Sequence, residues 1–225
     1  MNPATPQPSE VRATSDYDSL PTRKSLLSRL RDLDDAISWR AFFDTYWRLI
    51  YNVARKSGLC DEDAQDVVQE TVIAVARKMP EFRYDPAKGS FKLWLLLITR
   101  RRIHDHLRKL YRSLPISEAA SGQAGHGLEK IASPALPPDA AIEAAWEQEW
   151  RENIFQGALA RVRARANPKS YQVFDYAVLQ NLPAAEVGRM LGLNAAQVYL
   201  ARHRMSAAVK RAAAAIETEL NQSDA

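Results

Sequence analysis

The chain is expected to be all-α, with two small helical domains joined by a flexible linker. Three observations support this. Apolar residues recur at three- and four-residue spacing on both sides of the chain's middle; residues 113–138 break that period with Pro115, Pro134, Pro137, Pro138, Gly122, Gly125 and Gly127; and a helix, a glycine turn and a second helix close the chain. The expected division is a tail at 1–21, a first domain at 22–112, a linker at 113–138, a second domain at 139–220 and a short tail at 221–225.

The chain's 225 residues have a composition ordinary for a globular protein. Lys and Arg total 31 against 27 acids, so the net charge of +4 is mild, and only its local segregation argues for nucleic acid. A lone cysteine, Cys60, excludes an internal disulfide and a cysteine-rich zinc site, fits a reducing cytosol, and is expected to pack. Residues 1–21 carry four prolines and no hydrophobic core, so they read as a disordered tail and neither a secretory signal nor a membrane anchor. The longest strongly apolar run, Leu93 to Ile98, is far short of the ~20 residues that cross a bilayer. A cytoplasmic location is therefore expected.

Taken in order, a short helix is expected around Lys24 to Leu33. After Asp34 and Asp35, a longer helix places Ile37, Trp39, Phe42, Phe43, Tyr46, Trp47, Ile50, Tyr51 and Val53 at helical spacing, a broad aromatic stripe expected to be core, and Gly58 ends it. From Asp61, the residues Ala64, Val67, Val68, Thr71, Val72, Val75 and Met79 form the apolar side of an acidic helix whose first-turn acids suit the positive end of its dipole. The opposite side presents Asp66, Gln69, Glu70, Ile73 and Arg77, and an isoleucine on a wet face suits a partner surface. Pro80, Pro86 and Gly89 then force a loop carrying Phe82, Arg83, Tyr84 and Lys88, whose aromatics are better placed as lids over the core than as platforms for bases. The next helix, from Phe91, is expected to be buried in its first half, Trp94 included, and charged in its second.

Charge separates sharply here. Asp61 to Glu70 holds five acids and no base, a net of −5, whereas Arg100 to Arg112 holds six Lys or Arg against one Asp, a net of +5. Two faces of opposite sign imply two partners. The anionic one is most simply nucleic acid, because clustered arginines serve phosphates and neighbouring rings serve bases.

Beyond the linker, Ile142, Trp146, Trp150, Ile154, Phe155, Ala158 and Val162 mark one long helix from Asp139. Asn167 and Pro168 cap and start the next, lined by Tyr171, Phe174, Ala177 and Val178. Leu182 to Leu191, the Gly192-Leu193-Asn194 turn and Ala195 to Leu220 then form a helix-turn-helix. Its second helix is expected to turn Val198, Ala201, Met205 and Val209 inward, with Asn194 as cap and Gln197, Arg202 and Arg204 outward, in reach of a major groove.

Asp63 to Glu70, Gly89-Ser90-Phe91-Lys92-Leu93-Trp94-Leu95, Ile98-Thr99-Arg100-Arg101 and Asp105-His106-Leu107-Arg108, in this order and spacing, resemble region 2 of bacterial RNA polymerase sigma factors of the sigma-70 family, in the small extracytoplasmic-function group. The closing helix-turn-helix resembles region 4. The two resemblances cover roughly residues 25–110 and 140–215. They imply that Asp66, Gln69, Glu70 and Ile73 hold core RNA polymerase, and that Arg83, Lys88, Lys92, Arg100, Arg101 and Arg108 meet the downstream promoter element. Asn194, Ala195, Gln197, Tyr199, Arg202 and Arg204 would meet the upstream element. Arg101 stands where the family usually has asparagine, and Tyr199, Leu200 and Ala201 where many members have Lys, Ser and Arg, so base contacts there do not transfer. The implied partners are core polymerase and promoter DNA, with an anti-sigma protein common in the group; no membrane and no cofactor are implied.

Two other classes fit the sequence less well. A helix-turn-helix regulator acting without polymerase would leave the acidic helix unused. An enzyme would need converging ligands or a nucleophile and base, yet the four histidines at 104, 106, 126 and 203 are scattered, and no phosphate-cradling glycine loop exists.

Overall fold

A computed structural model describes residues 23–82, 90–113 and 137–221. Among them there are eight α-helices and no strand. The all-α expectation holds. The N-terminal tail, the loop residues Arg83, Tyr84 and Lys88, and most of the linker lie outside the described residues.

The first helix, α1 (Arg23–Arg29), stops four residues before Leu33. Asp35 then caps α2 (Ala36–Lys56), its carboxylate accepting from the Ser38 backbone N–H at 3.0 Å and from Arg29 Nε at 2.8 Å. The aromatic stripe of α2 splits. Phe42 and Tyr46 are buried, but Phe43 is exposed and Ile37 is 76% exposed, because the stripe is wider than the one side of the helix that meets the core. Gly58 turns the chain out of α2 at φ +97°, a left-handed conformation that suits glycine.

Cys60 does not pack. It is exposed and caps α3 (Asp61–Lys78), its sulfur accepting from the Asp63 N–H at 3.4 Å. The expected apolar side of α3 is buried from Ala64 to Met79, with Val72 only partly covered. A 3₁₀ turn at Met79–Glu81 leads to Phe82, which lies on α4 (Phe91–Ser113) as a lid, 4.5 Å from the Trp94 ring and 6.4 Å from Phe91. The first half of α4 is not wholly buried: Phe91, Leu95 and Ile98 are inside, while Leu93 and Leu97 are exposed. An apolar run as long as Leu93–Ile98 goes right round a helix that has only one covered side.

The second half of the chain begins with α5 (Asp139–Arg165), whose Ile142, Trp146, Trp150 and Ile154 are buried. They close on α2, where the Trp150 ring stacks on Tyr46 with centroids 6.1 Å apart. One apolar core therefore runs from α1 through α5 to the end of α8 (Ala195–Asn221), including Leu26, Phe42, Trp146, Met205 and Leu220. A bidentate ion pair, Arg161 to Glu219 at 2.9 and 2.7 Å, ties α5 to α8.

Asn167 caps α6 (Pro168–Phe174) as expected, accepting from the Lys169 and Ser170 N–H groups. A π turn, Asp175–Leu179, follows, and Val178 is exposed there, contrary to expectation, because the widened turn shifts the helical register. α7 (Ala184–Leu191), the left-handed Gly192 at φ +63° and α8 complete the helix-turn-helix around a small separate core of Val173, Ala177, Val187 and Val198.

Two predictions follow from this packing. A Cβ at Gly188 would meet the Leu193 carbonyl oxygen at 2.7 Å, so the helix-turn-helix closes only over glycine. Gly188→Ala is expected to destabilise this unit by about 1–3 kcal/mol, read as a lower unfolding midpoint by circular dichroism. Arg29 first, then the Ser38 N–H, holds the Asp35 carboxyl at about 2, below its ordinary 3.8. The stabilisation is thus complete above about pH 4 and is lost as pH falls through about 2. Asp35→Asn is expected to lower thermal stability at neutral pH and to flatten its acid limb in that window.

Candidate functional site

The acidic residues of α3 do not all share one environment. Asp66, Gln69 and Ile73 are exposed at i, i+3 and i+7, with half of Ile73 open to solvent, so they form a stripe along one side of the helix. Glu70 lies on the same side but turns toward α4. Its carboxylate is 3.3 Å from His106 Nε2 and 3.9 Å from Arg102. His106 is buried, and its other ring nitrogen is 3.6 Å from Asp63. Glu70 is therefore partly a brace between α3 and α4. Neither Arg102 nor His106 stood out in the sequence as part of this group. The signal was available in the pairing of a histidine on one helix with two acids, 63 and 70, spaced two turns apart on the other.

Three sides of α4 have three surroundings. Toward α3, Arg102, Asp105 and Arg108 join Glu70, Ile73 and Arg77 around an open groove of about 560 Å³. This sets Arg108 at the rim of the acidic helix as well as on the cationic one, where it also lies 3.6 Å from Asp105. Outward, Leu93, Leu97, Arg101 and Arg108 form an exposed stripe, and Arg101 has no ion pair among the described residues. Toward α5, Lys92 and Arg100 are covered. Lys92 Nζ is 2.6 Å from Glu147, and Arg100 is 2.8 Å from Glu143 and 3.1 Å from Asp139. His104 is 3.0 Å from that same Asp139.

Of the six cations expected at the downstream element, then, Arg101 and Arg108 are exposed together, Lys92 and Arg100 are paired to acids of α5, and Arg83 and Lys88 lie outside the described residues. The acids of α5 were missed in the sequence, although Asp139, Glu143 and Glu147 recur every fourth residue.

In the helix-turn-helix, Asn194 and Gln197 engage each other. The Gln197 N–H donates to Asn194 Oδ1 at 2.9 Å and the Asn194 N–H donates to Gln197 Oε1 at 3.0 Å, a reciprocal capping box. Gln197 is exposed, but its side chain serves the helix start and is not simply free to reach outward. Ala195, Tyr199, Arg202 and Arg204 are exposed, with the Arg202 guanidinium 5.6 Å from the centre of the Tyr199 ring. Leu200 is exposed beside them.

Among the described residues, no three His, Cys, Asp or Glu side chains converge as metal ligands, and no helix is long and apolar enough to cross a membrane.

Residues 42–113 match the family model for sigma-70 region 2. The chain is 25% identical, over 164 residues and 72% of its length, to the ECF RNA polymerase sigma factor BldN of Streptomyces coelicolor, and spans 54% of that protein. Among solved structures it is similar to the RsbN–BldN complex, with a TM-score of 0.32, 17% identity, and 82% of this chain and 97% of that one covered. It is also similar to CnrH in complex with the cytosolic domain of CnrY, with a TM-score of 0.34, 16% identity, and 85% and 96% covered.

Proposed function

We propose that this chain, which carries a sigma-70 region 2 domain across residues 42–113 and is similar to an ECF sigma factor, is a transcription initiation factor. It binds core RNA polymerase, directs it to promoters and helps open promoter DNA. The observation that carries this reading is the side-by-side placement, within one matched domain, of two exposed stripes with different chemistry. Asp66, Gln69 and Ile73 on α3 offer acid, amide and alkyl groups to a cationic, partly apolar protein surface. Arg101 and Arg108 beside Leu93 and Leu97 on α4 offer charge to phosphates and apolar contact to bases.

Glu70 contributes by holding α3 against α4 and, with its remaining exposure, to the polymerase side. The helix-turn-helix holds upstream duplex DNA through the exposed start of α8, where Ala195, Tyr199, Arg202 and Arg204 face out and Asn194 with Gln197 keeps the helix N-terminus closed. Neither half needs high affinity alone. Tethering raises the effective concentration of the second site once the first is engaged. No catalytic step and no cofactor enter this scheme. An anti-sigma protein as a further partner follows from the family resemblance alone.

Asp66→Lys with Ile73→Ala alters only exposed side chains, unlike a reversal at Glu70, which would also break the contact with His106. This double variant is expected to lose at least about tenfold in affinity for core RNA polymerase while keeping its circular dichroism spectrum, an effect of about 1.4 kcal/mol. Wild-type affinity in the variant would remove the α3 stripe from the interface. Failure of the wild-type protein to bind polymerase would leave a helix-turn-helix regulator acting on its own. On single-stranded promoter DNA, Arg101→Ala with Arg108→Ala is expected to reduce the slope of log K against log salt by about 1.4, roughly 0.7 for each phosphate contact. An unaltered slope would take both arginines off the DNA path.

A further inference from the structure

The outward side of α8 is apolar at its start. Ala195, Ala196, Tyr199 and Leu200 are all exposed within the first two turns, while Val198 among them is buried in the small core. Tyr199 is 56% and Leu200 49% open to solvent, so two large apolar side chains stand in water beside a core that does not take them.

Hydrogen-bonding groups are scarce on this side. Of the four residues, only Tyr199 carries one, its hydroxyl. The nearest amide belongs to Gln197 and is engaged at the helix start, where its Oε1 accepts from the Asn194 N–H at 3.0 Å. The cations lie at the edges. Arg202 sets its guanidinium 5.6 Å from the centre of the Tyr199 ring on one edge, and on the other Lys169 and Arg204 line a groove together with Leu200. An apolar strip between two cationic edges suits a major groove, where charge meets the phosphate walls and alkyl groups meet the base edges.

We propose that this helix selects its duplex through thymine methyl groups, with Leu200 and Tyr199, supported by Ala196 and Ala195, favouring A·T pairs by apolar contact. This rests on the reading that the helix-turn-helix holds upstream duplex DNA. In the major groove thymine is the one standard base that shows a methyl group, and an alanine or aromatic side chain is a suitable partner for it. Any base pair leaves some donors and acceptors facing such a strip, and only one that carries thymine offers a methyl in return. Ala196 and Leu200, at i and i+4, are about 6 Å apart along the helix, and base pairs step by about 3.4 Å, so the strip spans neighbouring pairs. Contact with those methyls also takes Leu200 and Tyr199 out of water, so their exposure in the free chain and their selectivity on DNA have one physical origin.

The test uses the full chain, with and without core RNA polymerase, and linear duplexes that carry a randomised stretch. The bound duplexes are expected to share an upstream element with thymines at two or more neighbouring pairs. In the most enriched duplex each of these thymines is then replaced by deoxyuridine, which removes the methyl and keeps every hydrogen-bonding group. Affinity is expected to fall about fourfold per methyl. Leu200→Ser with Tyr199→Ser alters exposed side chains only, so the circular dichroism spectrum is expected to persist. This variant is expected to bind the thymine and deoxyuridine duplexes within about twofold of each other. Equal affinity of the wild-type chain for the two duplexes would overturn the proposal. So would a methyl dependence that survives in the double variant, or an enriched element without thymines. In each of those cases the enriched element still supports the helix-turn-helix as a reader of DNA. Enrichment of no element, with or without polymerase, sinks that reading itself and the methyl proposal with it.

Discussion

The seat of α5 on α2 is the contact on which the remaining arrangement depends. Ile142, Trp146, Trp150 and Ile154 lie in one stripe and are all buried, and burial of each such side chain stabilises by roughly 1.5–3 kcal/mol. The flanking ion pairs are part-exposed, and each is worth at most about 1 kcal/mol. Apolar packing therefore decides that α5 lies here. The ion pairs decide little about whether it lies here and much about how it is turned. Once Trp146 and Trp150 face Tyr46, helical geometry leaves Glu149 on the α2 flank and Asp139, Glu143 and Glu147 on the α4 flank, and their ion pairs with Lys56, Arg100 and Lys92 follow.

The pairing of α3 with α4 follows a different logic. Its core is ordinary, with Ala64, Val67, Val68 and Val75 against Leu95, Ile98, Ile103 and Leu107. At the rim, buried His106 stands between Asp63 and Glu70, with Arg102 beyond. The brace thus fixes one edge of the acidic helix and leaves Asp66, Gln69 and Ile73 as the part able to meet another molecule without disturbing the domain. A helix of net charge −5 over ten residues gains a specific outward stripe because some of its acids are committed inward.

Most helices were legible in the sequence because each has a single stripe at helical spacing and a recognisable stop, such as Gly58, Asn167 with Pro168, or Gly192. Errors arose where a stripe was wider than the side it could bury. Ile37, Phe43, Leu93 and Leu97 look like core by composition and lie outside because one side of α2 and of α4 is uncovered. The outward stripe of α3 was readable from one misplaced isoleucine. What could not be read was any contact between the halves. Periodicity shows that α5 has an apolar side but not which helix receives it, so the partners of Lys92 and Arg100 stayed hidden although the acids were in plain order. The sequence marks Asn194 as the cap of α8 but sets its reciprocal partner Gln197 outward, since an exposed amide near a recognition helix suits either role.

The long helix α8 ties the helix-turn-helix to α5. Its first turns belong to the small core with Val173, Val187 and Val198, and its later turns, Met205, Val209, Ile216 and Leu220, belong to the main core with α5. The Arg161–Glu219 fork fastens the two helices near their far ends. α5 and α8 therefore form one unit that carries the helix-turn-helix at the start of α8. This unit meets the first half through α5 on α2 and α4 and through α8 on α1 and α4, so the seat of α5 and the placing of the helix-turn-helix are set by one continuous core and not by two separate ones.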